Sequence, residues 1–386
     1  MRVTNSTLYR KYTSAVNEVH SQYNKSMNKV SSGKAYESAA ENPLAYYSGK
    51  RMDNEYQDVL SKKSLLTDID KRLYQQELGI RSIQGTLNSK QDNAASRISY
   101  ILNNTNNETS TTVGTIRDDL IQKQQSMIND LNGKYENFYI YGGNDLSTTP
   151  FALDYDAETD KMILTYNHKF SGDQTTTQFT FELEEKGDGY NFTLTSGNWD
   201  ELQTAMGEQG RVDIGYGSIY DTETLLDTYT GGLNFLTGIT SDTMKRAGGA
   251  YNQADFEEAL TNSAVGLLGQ SIVTMNKYMK QLDGEAGGIS KEDFSDKLGN
   301  VLNQIEVTSD KLGSVYSNIG NKTQQLETTL ERLEDQKIAL EEQYQNKLGA
   351  DPFESIIEMF AYQRSYTASL QVSSNIMRTS LFDFMR

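Results

Sequence analysis

Cysteine is absent from all 386 residues. That excludes a disulfide framework, a thiolate nucleophile and any zinc site built with cysteine. Histidine is nearly absent too: His20 and His168 are the two present, and neither has a neighbouring ligand at metal spacing. Both read as surface or half-buried side chains. Hydrophobic residues make up 36% and mean hydropathy is -0.65, low for a compact globule. No apolar run approaches the ~20 residues of a membrane helix. The first residues, "MRVTNSTLYRKYTSAVNEVH", lack the apolar stretch of a cleaved signal peptide, so the expectation is a cytoplasmic chain or one exported without such a signal. Positive charge is scarce, with 36 Lys and Arg against 53 Asp and Glu and a net charge of -17. A chain of that sign repels nucleic-acid phosphates and anionic lipid surfaces. No Walker A loop, no G-x-G-x-x-G after a strand and no EF-hand loop occurs, so no cofactor, metal or nucleotide is expected.

What is present is aromatic surface and helical periodicity. Tyrosine alone counts 24, which argues against wholesale disorder, because aromatic rings still bury area. Stepping alternately by four and three from residue 298 meets Leu298, Leu302, Ile305, Ser309, Leu312, Tyr316, Ile319, Thr323, Leu326, Leu330, Leu333, Lys337, Leu340 and Tyr344; eleven of these fourteen are apolar or Tyr. A narrow stripe of that spacing is a coiled-coil seam rather than a broad globular helix face. The seam residues chosen as diagnostic are Leu312, Ile319, Leu326, Leu330, Leu333 and Leu340. In the N-terminal half, Met52, Tyr56, Val59, Leu66, Leu73, Ile80 and Leu87 share a seam that Ala94, Ile98 and Ile101 continue, with gaps at Lys63, Asp70, Glu77 and Gln84. This pattern predicts one helix over 44–103 that needs a partner, and the C-terminal coil is the partner at hand.

The middle of the chain changes texture. "NNTNNETSTT" at 103–112 reads as a turn, and Val113, Ile116, Leu120, Met127 and Leu131 give a second helix ending near Gly133. Between 151 and 216, "KMILTYNHKF", "TTTQFTFELEE", "GYNFTLTSG" and "RVDIGYG" read as antiparallel strands. Helical texture returns from about 222, with one helix over 255–282 and a loop over 283–290. The expected fold is mainly α with an inserted β module: a long antiparallel helical rod from the N- and C-terminal arms plus a small central β-rich domain. The expected division is 1–42 with 352–386 as terminal coiled-coil tails, 43–137 with 222–351 as the rod, and 138–221 as the β-rich domain.

Only three prolines interrupt the chain. Pro150 opens the β module. Pro43 follows Asn42 and Pro352 follows Asp351, and proline is well tolerated at the first helical position behind a capping side chain. Glu354 completes an Asp-x-x-Glu pattern like a capping box. Each break therefore reads as a helix start that divides a tail from the rod, with Gly33, Asn42, Pro43, Asp351 and Pro352 as the joints. The tails are amphipathic: Tyr12, Val16, Val19, Tyr23 and Val30 share one stripe, and Ile356, Phe360, Leu370, Met377, Leu381 and Phe384 share another. A lone helix of this size is marginal in water, so the tails are expected to become helical only on assembly, with those stripes as the interface.

The remaining features carry little chemistry. Glu182, Glu184, Glu185 and Asp188 read as a solvated strand end rather than a calcium site. Trp199 in "SGNWDEL" reads as an anchor of the β module rather than a sugar platform. No nucleophile–base pair is placed, so no catalytic residue is expected and the chain is not read as an enzyme.

Several stretches resemble one family. "SSGKAYESAAENPLAYYSGKRM" from residue 31 resembles the segment after the first helix of the flagellin superfamily of bacterial axial proteins, with Lys34-Ala35 for the usual Lys-Arg and Glu41-Asn42-Pro43 for Asp-Asp-Pro. "MRVTNSTLYRKY", "YENFYIYGGNDLSTTPF" and the end "SLFDFMR" resemble its hook-associated members. The resemblance covers roughly residues 1–145 and 300–386. It implies a structural subunit of the bacterial flagellum at the junction between hook and filament, extracellular and exported uncleaved through the flagellar type III route. It implies that the tails pair as concentric helices and that the β module faces outward. Its implied partners are copies of itself in a ring, a hook-associated protein on the hook side, flagellin on the filament side, and an export chaperone covering the C-terminal tail. The alternatives are the filament subunit itself, and a secreted adhesive protein using the β module around Trp199.

Overall fold

The computed structural model describes residues 5–383 apart from 37, 90, 104–108, 188, 208–209, 214–224, 228–230 and 240–251. It is mainly α with a small antiparallel β module. The chain divides into two compact units, Met1–Leu65 with Leu330–Arg386, and Leu66–Thr329. The helices α2 (Pro43–Gln84) and α9 (Lys291–Leu348) run across that division.

In the first unit, helix α1 (Asn5–Ser32) and helix α10 (Pro352–Asp383) pack on each other, and the same unit holds the first part of α2 and the last part of α9. Both tail segments are helical here, and each lies against the other. The physical reason is that each tail is the other's partner: an amphipathic helix that is marginal alone gains a seam when a second one lies against it.

The second unit holds the rest. The continuous helix expected over 44–103 is broken: α2 ends at Gln84, Gly85–Ser89 forms a π-helical turn, and helix α3 (Ala94–Asn103) restarts the run. Asn93 restarts it, its side chain accepting from the Ser96 amide at 2.7 Å. The apolar seam survives the break, because Leu87, Ala94, Ile98 and Ile101 are all fully buried. Helix α4 (Ser110–Leu131) follows, capped by Thr109.

A short hairpin, β1 (Lys134–Tyr135) and β2 (Phe138–Tyr139), leads into a four-stranded antiparallel meander in the order β3 (Phe151–Asp156), β4 (Lys161–His168), β5 (Thr177–Lys186) and β6 (Gly189–Ser196). The three longer strands are those the alternation foretold; β3 is additional. Period-two alternation buries Met162, Leu164, Tyr166 and His168 from β4 and Phe179, Phe181 and Leu183 from β5. Leu164 stands opposite Phe181, and Leu183 opposite Phe192. Helix α5 (Trp199–Gly207) and the pair β7 (Arg211–Asp213) and β8 (Leu225–Asp227) follow. β8 lies beyond residue 221, where helical texture was expected, because Leu226 pairs with Val212.

The helix expected over 255–282 is two. After the short helix α6 (Gly232–Thr237), α7 (Gln253–Thr261) ends at Asn262, and Ser263 caps α8 (Ala264–Leu282). The split gives α7 a task that a straight helix would not perform. Its side chains close the sheet edge: the Phe192 amide donates to Thr261 Oγ1 at 2.7 Å and the Leu194 amide to Glu257 Oε1 at 3.0 Å. At the other edge Asn132 acts as one residue of a strand, donating to the Phe151 carbonyl at 2.8 Å and accepting from its amide at 2.9 Å. Edge groups left unpaired would invite strand addition, and these contacts occupy them.

Candidate functional site

The residues singled out in the sequence fall into three places: the tail pair, the joints and the helical seam. In the tail pair Tyr12, Val16, Val19 and Tyr23 are half-buried, while Val30 is exposed. The Tyr12 hydroxyl donates to the Ser369 carbonyl. His20 lies with its ring centroid 5.0 Å from that of Tyr366, Tyr23 stacks on the same ring at 6.5 Å, and Lys29 pairs with Glu358 at 3.4 Å.

The face of α10 that meets α1 was not the one the sequence pointed to. Ser355 is buried, and Met359, Tyr362, Tyr366 and Ser369 are half-buried. These five step by four, three, four and three, the same spacing that marked the long seam. The signal was legible, but tyrosine and serine do not stand out as a stripe. Ile356, Phe360 and Leu370 are exposed instead, together with Phe353, Ile357 and Val372. The side chains of Met377 and Leu381, and the whole of Phe384, lie outside the described residues.

The two joints touch. Gly33 ends α1 with φ +69°, a conformation glycine adopts without strain. Lys34 and Gly349 then form an antiparallel bridge. The Ala35 amide donates to the Leu348 carbonyl at 2.7 Å, and the Ala350 amide to the Gly33 carbonyl at 2.9 Å. Beyond this clasp each side restarts a helix in the same way. Asn42 Oδ1 accepts from the Ala45 amide at 3.1 Å, and Asp351 Oδ1 accepts from the Phe353 amide at 2.8 Å and the Glu354 amide at 3.2 Å. Pro43 and Pro352 occupy the first helical positions. The residues after them, Leu44 and Phe353, are each 80% exposed. Lys25 and Glu41 form an ion pair at 3.3 Å beside the joint.

Along α9 all fourteen heptad positions from Leu298 to Tyr344 are buried or half-buried. Leu312, Ile319, Leu326 and Leu333 are buried, and Leu330 and Leu340 are half-buried. The polar gaps in the α2 seam have individual answers. Lys63 pairs with Glu334. Gln84 donates to the Ser309 carbonyl at 3.0 Å, and Glu77 pairs with Arg81 at 3.1 Å, whose guanidinium lies 4.0 Å from the Tyr316 ring centroid. Asp70 is the exception: its Oδ1 is buried without a hydrogen-bond partner. Burial, and then the nearby Glu327 carboxylate, push its pKa above the ordinary value.

The β module is fastened to the helices by charged clamps. Asp160 holds Lys280 at 2.7 Å, and Glu185 spans Lys277 and Lys297, each at 2.7 Å. Glu182 pairs with Lys161 at 2.6 Å; Asp188 lies outside the described residues. Trp199 packs with its ring centroid 5.4 Å from that of Phe256, and buried His168 with its centroid 4.8 Å from that of Phe170. Among the described residues no group of three His, Asp or Glu is placed to hold a metal, and no helix is long and apolar enough to cross a membrane.

No family model matches the chain and no curated protein matches it. Among solved structures it is similar to a flagellar hook-associated protein of Vibrio parahaemolyticus, at 12% identity over 80% of this chain and 100% of that one, with a TM-score of 0.47. It is also similar to FlgL of Bacillus cereus, at 13% identity over 78% of this chain and 100% of that one, with a TM-score of 0.37.

Proposed function

We propose that the chain is a structural subunit of the bacterial flagellum and forms the junction between hook and filament, the part played by hook-associated protein 3. The observation that carries this reading is the outward face of α10. One side of that helix is already covered by α1, yet Phe353, Ile356, Ile357 and Phe360 remain exposed on the other, Ile357 at 68% and Phe360 at 49%. A helix with a partner on one side and an apolar stripe on the other has a second surface to cover. The motifs at residues 1–12, 31–52, 135–151 and 380–386 support the same reading by their order along the chain.

In this reading, copies of the chain form one ring, with a hook-associated protein below and flagellin above, and tail burial drives assembly at ~25 cal/mol per Å² of apolar area. The test is the double variant Ile357→Asp and Phe360→Asp. Both side chains are exposed, so the monomer should melt within about 0.5 kcal/mol of the parent stability, while incorporation into the junction and growth of a filament are lost. Normal incorporation of the variant would sink the proposal. Seeding with filament fragments separates the junction subunit from flagellin: extended filaments grown from purified chain would indicate flagellin.

A further inference from the structure

Between α2 and α9, within the first unit, lies a cavity of about 240 Å³. Its lining is of three kinds, the Gln345 amide being one. Met52, Leu340 and the rings of Tyr56 and Tyr344 supply apolar and aromatic surface, and Asp53 and Glu341 supply two carboxylates. Aromatic faces beside carboxylates attract a positive charge on a carbon stem: the rings hold the stem and the charge, and the acids add attraction without fixing a direction. Asp53 and Glu341 repel an anion and offer a neutral ligand hydrogen bonds alone, without the charge attraction that a cation gains.

The chain itself already brings such a group to the site. Lys34, in the clasp between the tails, holds its Nζ 6.0 Å from the centroid of the Tyr344 ring. A hydrogen bond with Tyr344, and then the Asp53 carboxylate, raise its affinity for a proton above that of an ordinary lysine. Lys34 is exposed and is not one of the lining residues, so its ammonium lies beside the Tyr344 ring and leaves the cavity open. The Tyr56 hydroxyl donates to Glu341 at 3.0 Å and orients that acid, and Lys50 approaches Asp53 at 3.5 Å on an exposed surface.

We infer that this cavity is a binding site for an alkylammonium group, either a free amine or a lysine side chain of another protein, with Lys34 as the resident cation that an incoming one displaces. The shared chemistry is one ammonium on a flexible apolar stem.

The test uses the full chain and three probes, followed by the NMR signals of Met52 and Tyr344: n-butylammonium, N-acetyl-lysine methylamide and 1-butanol. The two cations are expected to bind and the alcohol, lacking the charge, to bind at least about tenfold more weakly, a ratio that corresponds to ~1.4 kcal/mol. Binding of both cations assigns the site to ammonium from either source; binding of butylammonium alone assigns it to free amines. Glu341→Gln should weaken butylammonium by roughly 1.5- to fivefold, the range expected for one exposed charge contact. Lys34→Met should tighten it by a similar factor through loss of the competitor, a gain that no folding defect would produce. Equal binding of 1-butanol, no binding of either cation, or a Lys34→Met chain that binds no better would each overturn the inference.

Discussion

Leu348 occupies the space a side chain on Gly49 would need: a Cβ at position 49 would fall 1.7 Å from Leu348 Cδ1 and 2.8 Å from Cγ. Leu348 is buried there, and its carbonyl is the acceptor for the Ala35 amide. One residue therefore both fills the notch on α2 and holds the clasp that joins the two breaks.

Gly49→Ala should open this clasp. Leu348 cannot stay where it is, and overpacking of this kind costs roughly 1–3 kcal/mol. Hydrogen exchange at the Ala35 and Ala350 amides is the direct readout, with both expected to lose protection while amides of the β module keep theirs. Adding Leu348→Ala should restore part of the loss, because the smaller side chain fits beside the new methyl. Unchanged protection in Gly49→Ala would mean that the fit of Leu348 against Gly49 does not hold the clasp.

Asp70→Leu should stabilise the second unit. Asp70 sits on the seam between Leu66 and Leu73, both buried, with Glu327 near it. A carboxyl whose pKa is raised on folding costs stability when ionised, and the cost is complete at neutral pH. It fades as pH falls through the folded value toward and below the ordinary 3.8. Leucine removes the charge and continues the seam, and the expected gain is roughly 1 kcal/mol at pH 7 after allowing for solvent. Asp70→Asn should recover less, and its advantage over the parent should shrink on acidification. Denaturant melts at pH 7 and pH 3.5 decide it; a destabilised Asp70→Leu chain would mean that the carboxylate has a favourable contact at this position.

How far this was legible in the sequence differs from place to place. The α9 seam was readable because Leu and Ile recur at heptad spacing with polar residues between them, and burial follows that spacing position by position. The β4, β5 and β6 strands were readable because their alternation is strict. The breaks within helical stretches were not, at Gly85–Ser89 and at Asn262–Ser263, because the apolar pattern runs on through both. What sets the second is tertiary: α7 turns aside to give Thr261 and Glu257 to the edge of β6. The joints at Asn42 and Asp351 were readable as caps, since a capping side chain before proline is a local signal. That the two joints bond to one another was not, since nothing in either segment names a partner more than 300 residues away. The inner face of α10 was missed for a chemical reason. Its contacts use tyrosine and serine, whereas a search for stripes rewards Ile, Leu and Phe, which here lie outside.

Glu185 should give the β module an acid-sensitive hold on the helices. Its hydrogen bond from Lys277, and then that from Lys297, keep its carboxyl below the ordinary value of 4.5, and both ammonium groups also lie over the Tyr190 ring, at 5.4 and 4.6 Å from its centroid. A carboxyl depressed on folding contributes stability that is complete above its unfolded pKa and is lost as pH falls through its folded one. The contribution should therefore be full above about 4.5 and decline below it. Glu185→Gln removes the charge at every pH, leaving Lys277 and Lys297 near one ring without the carboxylate that bridges them. At pH 7 the variant should be less stable by about 1 kcal/mol, a value held down because the carboxylate is partly in water. Toward pH 3 the two melting curves should converge as the parent's carboxyl takes up its proton. The measurement is thermal unfolding of parent and variant across that range, followed by near-ultraviolet circular dichroism from the aromatic core of the sheet. A constant difference between the curves from pH 7 to pH 3 would mean that the Glu185 charge does not fasten the module, and that the apolar contacts of Tyr190 and Leu183 hold it alone.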